Sequence, residues 1–386
     1  MRSDKRLRLS YRGDGVKVAR VDFWHLKYPL ERGYGDANGI KAHRTSIMVR
    51  IECTDGHVGW GETFGYRTNR VHWEDAAALI EGEDANRAGA LVDRIARIDL
   101  SLAGGIDIAL HDLKAKAAGI SLVNMFGGAH RAAQPAYASL QNASNDEDVV
   151  GAAISEATRA MTLGFKSLKM KVGWHDVATD IEWVNAVIDN LPDGVLLAID
   201  ANRAMDLPTA SRMVRGIRKP ERISWFEEPL ANTQIQPHLE LRNSIDIAVS
   251  GAESMSMAMI ERAISSRAMD IINPDLVGHG GFARLRRLWY AAEANGVRLV
   301  PHIFDGQLVR VATLHFLAAM PDWSEGQSAY RAAPLEYDIS TNPTRDELLE
   351  TPLALDADGC VPIPTGPGLG VTVNEEIIRR FVIAQR

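Results

Sequence analysis

Apolar and polar positions follow two rhythms along this chain, and the change falls near Pro135. Upstream, Val16 to Trp24 and Thr45 to Cys53 alternate with a period of two, which predicts strands. Asp55-Gly56 predicts a hairpin turn into His57-Val58-Gly59-Trp60-Gly61. Glu31 to His43, rich in Gly, Asp, Asn, Lys and His, reads as a long loop between the first strands. Helical spacing follows over Trp73 to Leu79 and Gly105 to Gly119, the second ending on a glycine suited to a C-cap. Strands followed by helices, without βα alternation, predict an α+β module.

Downstream, apolar runs alternate with helical segments. The runs are Pro135–Ser139, Ser167–Lys171, Leu196–Asp200, Ile223–Glu227, Ile247–Glu253, Ile271–Pro274, Leu299–His302 and a weaker one at Ala332–Glu336. Helices are predicted between them, for example over Asp146–Leu163, Asp176–Asn190 and Phe282–Asn295. Eight is the number of strands that closes a parallel barrel, so the fold class is α/β. Cys360 to Thr372, rich in Pro and Gly, reads as an extended return over the surface.

Composition narrows the function classes. With 386 residues the chain has room for a barrel and a second domain. The formal net charge is -7 and no basic stretch forms a nucleic-acid footprint, so no nucleic-acid partner is expected. No apolar stretch reaches the length of a membrane span. The charged start, Met1 to Arg8, lacks the apolar block of a signal peptide. Cys53 and Cys360 read as incidental thiols, and a cytoplasmic location is expected.

The chemistry is expected at the strand ends. In a parallel barrel all C-terminal strand ends face one mouth. Asp200, Glu227 and Glu253 close three successive runs and are expected to converge there. Three carboxylates in one pocket repel one another unless a cation lies among them, and all-oxygen ligands suit a hard divalent ion such as Mg2+. Asn202 and Glu228 follow as supports for those ligands. Lys169 and Lys171, two apart on a strand, share a face, and their mutual repulsion is expected to lower both pKa values and make a general base. Asp275 and His302, at the next strand ends, form a candidate acid/base pair. Glu336 on the eighth strand is either a carboxyl stabilising charge on an oxygen or a salt-bridged rim residue. Gly366-Pro367-Gly368-Leu369-Gly370 lacks the strand-then-helix context of a dinucleotide site and reads as a turn. Gly278-His279-Gly280-Gly281 precedes a helix but lacks the Lys-Ser/Thr of a P-loop.

Taken in order, Lys169-x-Lys171, Asp200-x-Asn202, Trp225-Phe226-Glu227-Glu228-Pro229, Gly251-Ala252-Glu253-Ser254, Asp275 with His302, and Glu336 resemble the mandelate racemase subgroup of the enolase superfamily. Gly59-Trp60-Gly61-Glu62, Ile106 to Leu113 and Gly366 to Gly370 extend the resemblance over nearly the whole chain. It implies a modified TIM barrel over 131–355, one strand of which departs from strict βα alternation. It also implies an α+β capping domain over 1–130 that the segment 356–386 completes. It implies Mg2+ on Asp200, Glu227 and Glu253, and removal of the proton alpha to a substrate carboxylate. Lys171 would be the base, Lys169 its tuner, His302 the opposing acid/base oriented by Asp275, and Glu336 a partner of the substrate carboxylate. The use of Lys or His bases beside Mg2+ is carried over from that superfamily and is not read from spacing.

The expected reaction is dehydration of a sugar acid to a 2-keto-3-deoxy acid. A racemase or epimerase, or a sugar-lactone cycloisomerase, would use the same residues. A Schiff-base aldolase is the reading from a different class. The partner is a small-molecule carboxylate, and a homo-oligomer is expected. His25, Lys27, Tyr28, Arg32, Tyr34, Asp36, Asn38, Lys41, His43 and Arg44 make the first cap segment polar, which points to a polyhydroxylated substrate with one carboxylate or two.

Overall fold

The computed structural model describes residues 16–140, 148–304, 306–323 and 331–386, so Met1 to Arg8 and Asp146 lie outside the described residues. Val18–Asp36 (β1) and Gly39–Cys53 (β2) pair antiparallel from Val18↔Cys53 to Asp36↔Gly39. The expected loop at Glu31–His43 is therefore the far end of a long two-stranded ribbon. Its charges and glycines mask the alternation, and a register shift between Pro29 and Tyr34 breaks the period. The tip turns on Ala37 and Asn38, with Gly39 at φ +120. Val58–Phe64 (β3) adds to β2.

The barrel strands are Ala133–Ser139 (β4), Ser167–Lys171 (β5), Leu196–Asp200 (β6), Ile223–Glu227 (β7), Val249–Gly251 (β8), Ile271–Ile272 (β9), Arg298–Leu299 (β10) and Leu335–Asp338 (β11). They pair in parallel in the order β10-β9-β8-β7-β6-β5-β4-β11. Between β10 and β11 no ladder forms among the described residues, and Ile303 N donates to Glu336 Oε2 (3.0 Å) across that seam. Three strands are shorter than expected for local reasons. Ala252 at φ 87 ends β8. Pro274 and Pro301, which lack an N–H, follow β9 and β10. After β11 comes only a helical turn, Pro343–Asp346, and then Cys360–Pro362 (β12), which runs antiparallel to β4. Strict βα alternation thus stops at the eighth strand. Val382–Gln385 (β13) pairs with β1 and completes the cap sheet, in the order β13-β1-β2-β3.

Two apolar cores meet at one helix. Val21, Phe23, Ile47, Val49, Trp73 and Ile80 form the cap core, and Leu168, Met170, Trp183, Trp225 and Phe226 belong to the barrel core. The helix Leu100–Ala117 gives Ile106, Ala109 and Leu110 to the first and Ile108 to the second. It lies so close to β3 that a Cβ on Gly61 would stand 2.1 Å from Gly105 O. Buried carboxylates stitch the layers together. Asp112 accepts from Trp60 N (2.8 Å) and Leu369 N (2.7 Å), Asp107 from Phe282 N (2.7 Å), and Glu62 from Leu308 N (2.8 Å). Hydrogen bonds to charged groups of this kind contribute about 1.5–3 kcal/mol each. Through them the cap and the mouth of the barrel are held as one unit.

Candidate active site

Asp200 and Glu227 are the last residues of β6 and β7 and stand side by side in register. Glu253 lies two residues beyond β8. The backbone is strained here. Asn202 (φ 42), Arg203 (φ 69), Glu228 (φ 39) and Ala252 (φ 87) are four of the five non-glycine residues with positive φ among those described, and all of them flank these carboxylates. Left-handed conformations cost about 1–3 kcal/mol each and persist where the surroundings enforce them, typically at sites that work.

Lys169 and Lys171 on β5 point into the same buried space. Lys171 is opposite Asp200 in register, and its Nζ donates to Asp200 Oδ2 at 2.6 Å. Lys169 Nζ lies 2.8 Å from Glu227 Oε1 and 2.8 Å from Glu336 Oε1. On the other side, His302 Nδ1 is 3.0 Å from Asp275 Oδ2, and its Nε2 is 3.7 Å from Glu253 Oε2. Gly278 N takes the other Asp275 oxygen (2.7 Å), so that carboxylate is fixed at both ends. The structure thus brings Asp200, Glu227, Glu253, Lys169, Lys171, Asp275, His302 and Glu336 to one barrel mouth. Asn202 N donates to Asp200 Oδ1 (2.9 Å), and Glu228 accepts from Asn232 Nδ2 (2.5 Å) behind them.

Charges within this cluster correct one expectation, that the two lysines lower each other's pKa. Burial acts to lower the pKa of Lys171, but the Asp200 carboxylate overrides both burial and Lys169, and the value is raised. Lys169 is raised well above its ordinary value, because Glu227 and Glu336 outweigh burial. The lysines face more carboxylates than they have ammonium neighbours, so their mutual repulsion does not decide the sign. Glu336 is ion-paired with Lys169 as one alternative expected, but it is buried and not at the rim. Burial opposes ionisation, but Lys169 and His302 lower its pKa, and both of its oxygens accept hydrogen bonds. His302 is raised to about 10: burial opposes the charge, and Glu253, Asp275 and Glu336 favour it. Glu227 is raised to about 7, by burial first and then by Asp200 and Glu336, against the pull of Lys169.

A hard cation suits the donor set. Asp200, Glu227 and Glu253 offer only oxygen, and Asn202 Oδ1 beside them is buried without a hydrogen bond. Their oxygens nevertheless do not all come within 4.8 Å of one another, and Lys171 lies on Asp200 and Lys169 on Glu227. The expected convergence on one point is thus met at the level of strand ends and not at the level of oxygens. Among the described residues, Cys53, Asp55 and His57 are the one trio of potential ligands within 4.8 Å of one another. They sit on the β2–β3 turn, where Cys53 Sγ and His57 Nδ1 both hydrogen-bond Asp55 Oδ1.

Four participants escaped the sequence reading. Tyr137 on β4 faces Glu336 in register, and its pKa is raised well above the ordinary value, first by burial and then by Glu336. Trp225 Nε1 donates to Glu227 Oε2 (3.0 Å). Arg203 reaches Glu228 (3.4 Å) and Ser254. Arg67, from the loop after β3, lies 3.8 Å from Glu253. The two-residue offset of Trp225 from Glu227 was a readable signal, whereas the other contacts cross between elements. Of the polar cap residues, Asp36 has its pKa lowered despite burial, by Lys41 and by Lys171, and Ala37 lies over Gly173. Tyr34 and Arg44 are buried. A cavity of about 600 Å3 opens at the opposite end of the barrel, lined by Leu196, Ile223, Ile247 and Ile271, and it holds none of these residues.

Comparison with known proteins agrees with this architecture. Residues 152–377 match the family model for the enolase C-terminal domain-like fold. Residues 20–127 match the N-terminal domain of mandelate racemase / muconate lactonizing enzyme. The chain belongs to the mandelate racemase / muconate lactonizing enzyme family of the enolase superfamily. It is 33% identical to the D-galactarolactone cycloisomerase of Agrobacterium fabrum, over 95% of this chain and 99% of that one. It is 30% identical to the L-talarate/galactarate dehydratase of Salmonella typhimurium, over 95% and 91%. Its structure resembles the L-talarate dehydratase of a Polaromonas species complexed with Mg and L-glucarate, with a TM-score of 0.81 and 27% identity over 96% of this chain and 98% of that chain. No helix among the described residues is long and apolar enough to cross a membrane.

Proposed function

We propose that this chain is a magnesium-dependent enzyme that removes the proton alpha to the carboxylate of a sugar acid and expels the oxygen on the next carbon, giving a 2-keto-3-deoxy acid. One observation carries the reading. A lysine and a histidine flank the carboxylate trio from opposite sides, Lys171 at 2.6 Å from Asp200 and His302 at 3.7 Å from Glu253. Asp200, Glu227 and Glu253 would hold the ion, which when bound supplies the Lewis-acid charge that makes a C–H bond beside a carboxylate acidic.

The rest falls to the side chains. Were Asp200 to hold an ion, Lys171 would lose the partner that retains its proton, and its amine would take the alpha proton. The C–H electron pair becomes the double bond of an enediolate. That pair then displaces the oxygen on the adjacent carbon as the C–O bond breaks. His302, held by Asp275, gives its proton to the departing oxygen. The resulting enol gains a proton on carbon and loses its hydroxyl proton, which makes the ketone. Lys169 and Glu336 hold each other and Glu227 in place.

A hydroxyl leaving group makes this a dehydration. A ring oxygen of a lactone or anhydro sugar stays attached after the bond breaks, and the same chemistry is then a cycloisomerisation. The 33% identity to a D-galactarolactone cycloisomerase over 95% of the chain supports that second reading. Sugar acids and their lactones, incubated with the chain and Mg2+ and followed by mass spectrometry, separate the two. A 2-keto acid lighter than its substrate by one water marks the dehydratase, and a 2-keto acid of unchanged mass formed from a lactone marks the cycloisomerase. Absence of both, with no exchange of the alpha proton in deuterated water, counts against the proposal. A Schiff base at Lys171 would instead show as substrate-dependent trapping by borohydride.

A further inference from the structure

Among the described residues, the cap and the strand-end loops bring four cations toward the mouth. Lys41 Nζ ends on Asp36 (2.5 Å). Arg44 is buried against Asp338 (3.4 Å) and Ser340. Arg203 ends on Glu228 and Ser254. Arg67 differs. Its guanidinium makes no hydrogen bond among the described residues, and its one carboxylate neighbour, Glu253, is 3.8 Å away, beyond hydrogen-bond reach.

Arg67 is nevertheless held in place. Its Cζ lies 4.7 Å from the centre of the buried Phe64 ring and 5.5 Å from that of Tyr66. The loop it stands on is pinned at Gly65, where a Cβ would meet Thr45 Oγ1 at 2.2 Å. A Cβ on Gly278 would stand 3.5 Å from Arg67 Nη1 and 3.2 Å from Asp275 Cβ. The guanidinium therefore lies between the Glu253 loop and the Asp275 loop, on the His302 side of the mouth. Its side chain is 34% exposed, so a ligand reaching outward from the carboxylate trio can meet it.

From this placement we infer that Arg67 receives a second carboxylate, at the end of the substrate remote from the reacting carbon, and that the substrate is a sugar diacid or a lactone derived from one. The inference rests on the proposed alpha-proton abstraction and adds the substrate class to it. Arginine offers five donors in a planar fork and no acceptor, which matches a carboxylate bidentately and a sugar hydroxyl poorly. Once Glu253 is committed to a cation, Arg67 has no anion beside it among the described residues. A second carboxylate on the ligand supplies it, whereas a neutral sugar terminus leaves it unbalanced.

The test compares a hexarate and the hexonate of matched stereochemistry, with Mg2+, on the unaltered chain, Arg67→Gln and Arg67→Lys. The unaltered chain is expected to favour the diacid. Arg67→Gln should cut the diacid-to-monoacid ratio of kcat/KM by about 30-fold or more, chiefly through KM, as loss of a charged hydrogen-bond pair implies. Arg67→Lys should recover part of the loss. A preference for the monoacid, or an unchanged ratio in Arg67→Gln, overturns the inference and leaves the proposed chemistry standing. If neither acid turns over, the parent reading is the one in trouble. Calorimetric binding of the hexarate to the magnesium-loaded chain then decides the Arg67 claim: weaker binding in Arg67→Gln supports it, and equal binding overturns it.

Discussion

Lys171 Nζ and Asp200 Oδ2 are 2.6 Å apart on neighbouring parallel strands, each the last residue of its own. The pair joins the proposed base to a proposed metal ligand. Lys171→Ala should therefore separate two functions. Turnover should fall by about 100- to 10,000-fold, the range general bases contribute. Magnesium affinity should hold or rise, because Asp200 loses its competing cation. Steady-state kinetics and a metal titration on the same preparation check both outcomes, and near-normal turnover removes Lys171 from the mechanism.

His302 and Asp275 form the opposite flank, 3.0 Å apart. His302→Asn should stop elimination while Lys171 still exchanges the alpha proton with deuterated solvent. Proton NMR should show loss of the alpha signal without product. Asp275→Asn should keep the histidine but lower its pKa, since burial then acts with less opposition. Simultaneous loss of exchange and elimination in His302→Asn would mean that His302 is itself the base.

His315, buried in the helix Gln307–Ala318, ties that helix to the C-terminal return through Nε2 and Leu369 O (3.0 Å). Burial lowers its pKa from 6.5 to about 4, against the hydrogen bond to Leu369. Between those values the unfolded chain binds a proton that the folded chain refuses, so stability falls as pH falls from 6.5 towards 4. The full effect is about 3 kcal/mol. Urea unfolding at several pH values should give a shallower slope in His315→Gln over that window and no change in slope above it.

Gly61→Ala should loosen the join between cap and barrel. The new methyl would stand 2.1 Å from Gly105 O, a backbone atom that a side-chain rotation cannot move. A loss of about 1–3 kcal/mol or more, read as a lower Tm, is expected. An unchanged Tm would mean that the Leu100–Ala117 helix is free to shift.

Much of this site was legible because barrel geometry turns sequence order into spatial order. Asp200 and Glu227 close apolar runs, and Lys169 and Lys171 are two apart, so their common mouth follows from periodicity alone. Asp275 and His302 are harder, because prolines end β9 and β10 before them, yet they still meet as an isolated bridge. The signs of the lysine pKa shifts were not legible. They depend on how many carboxylates surround each ammonium, and Glu227 and Glu336 are far from Lys169 in sequence. The ribbon through Glu31–His43 was hidden because Gly33, Gly35 and its charged residues carry no alternating apolar face, and backbone pairing holds it instead. Arg67 stayed invisible for a similar reason. Its neighbours Glu253 and Gly278 come from the other domain, and nothing local distinguishes it from a solvated surface arginine.

A crystal structure determined in magnesium would decide whether the three carboxylates hold an ion. One ion is expected, with an oxygen from each of Asp200, Glu227 and Glu253 at about 2.0–2.1 Å, the distance magnesium demands. Lys171 should then have moved off Asp200. An ordered mouth with no ion, and with Lys171 and Lys169 still on Asp200 and Glu227, would contradict that expectation.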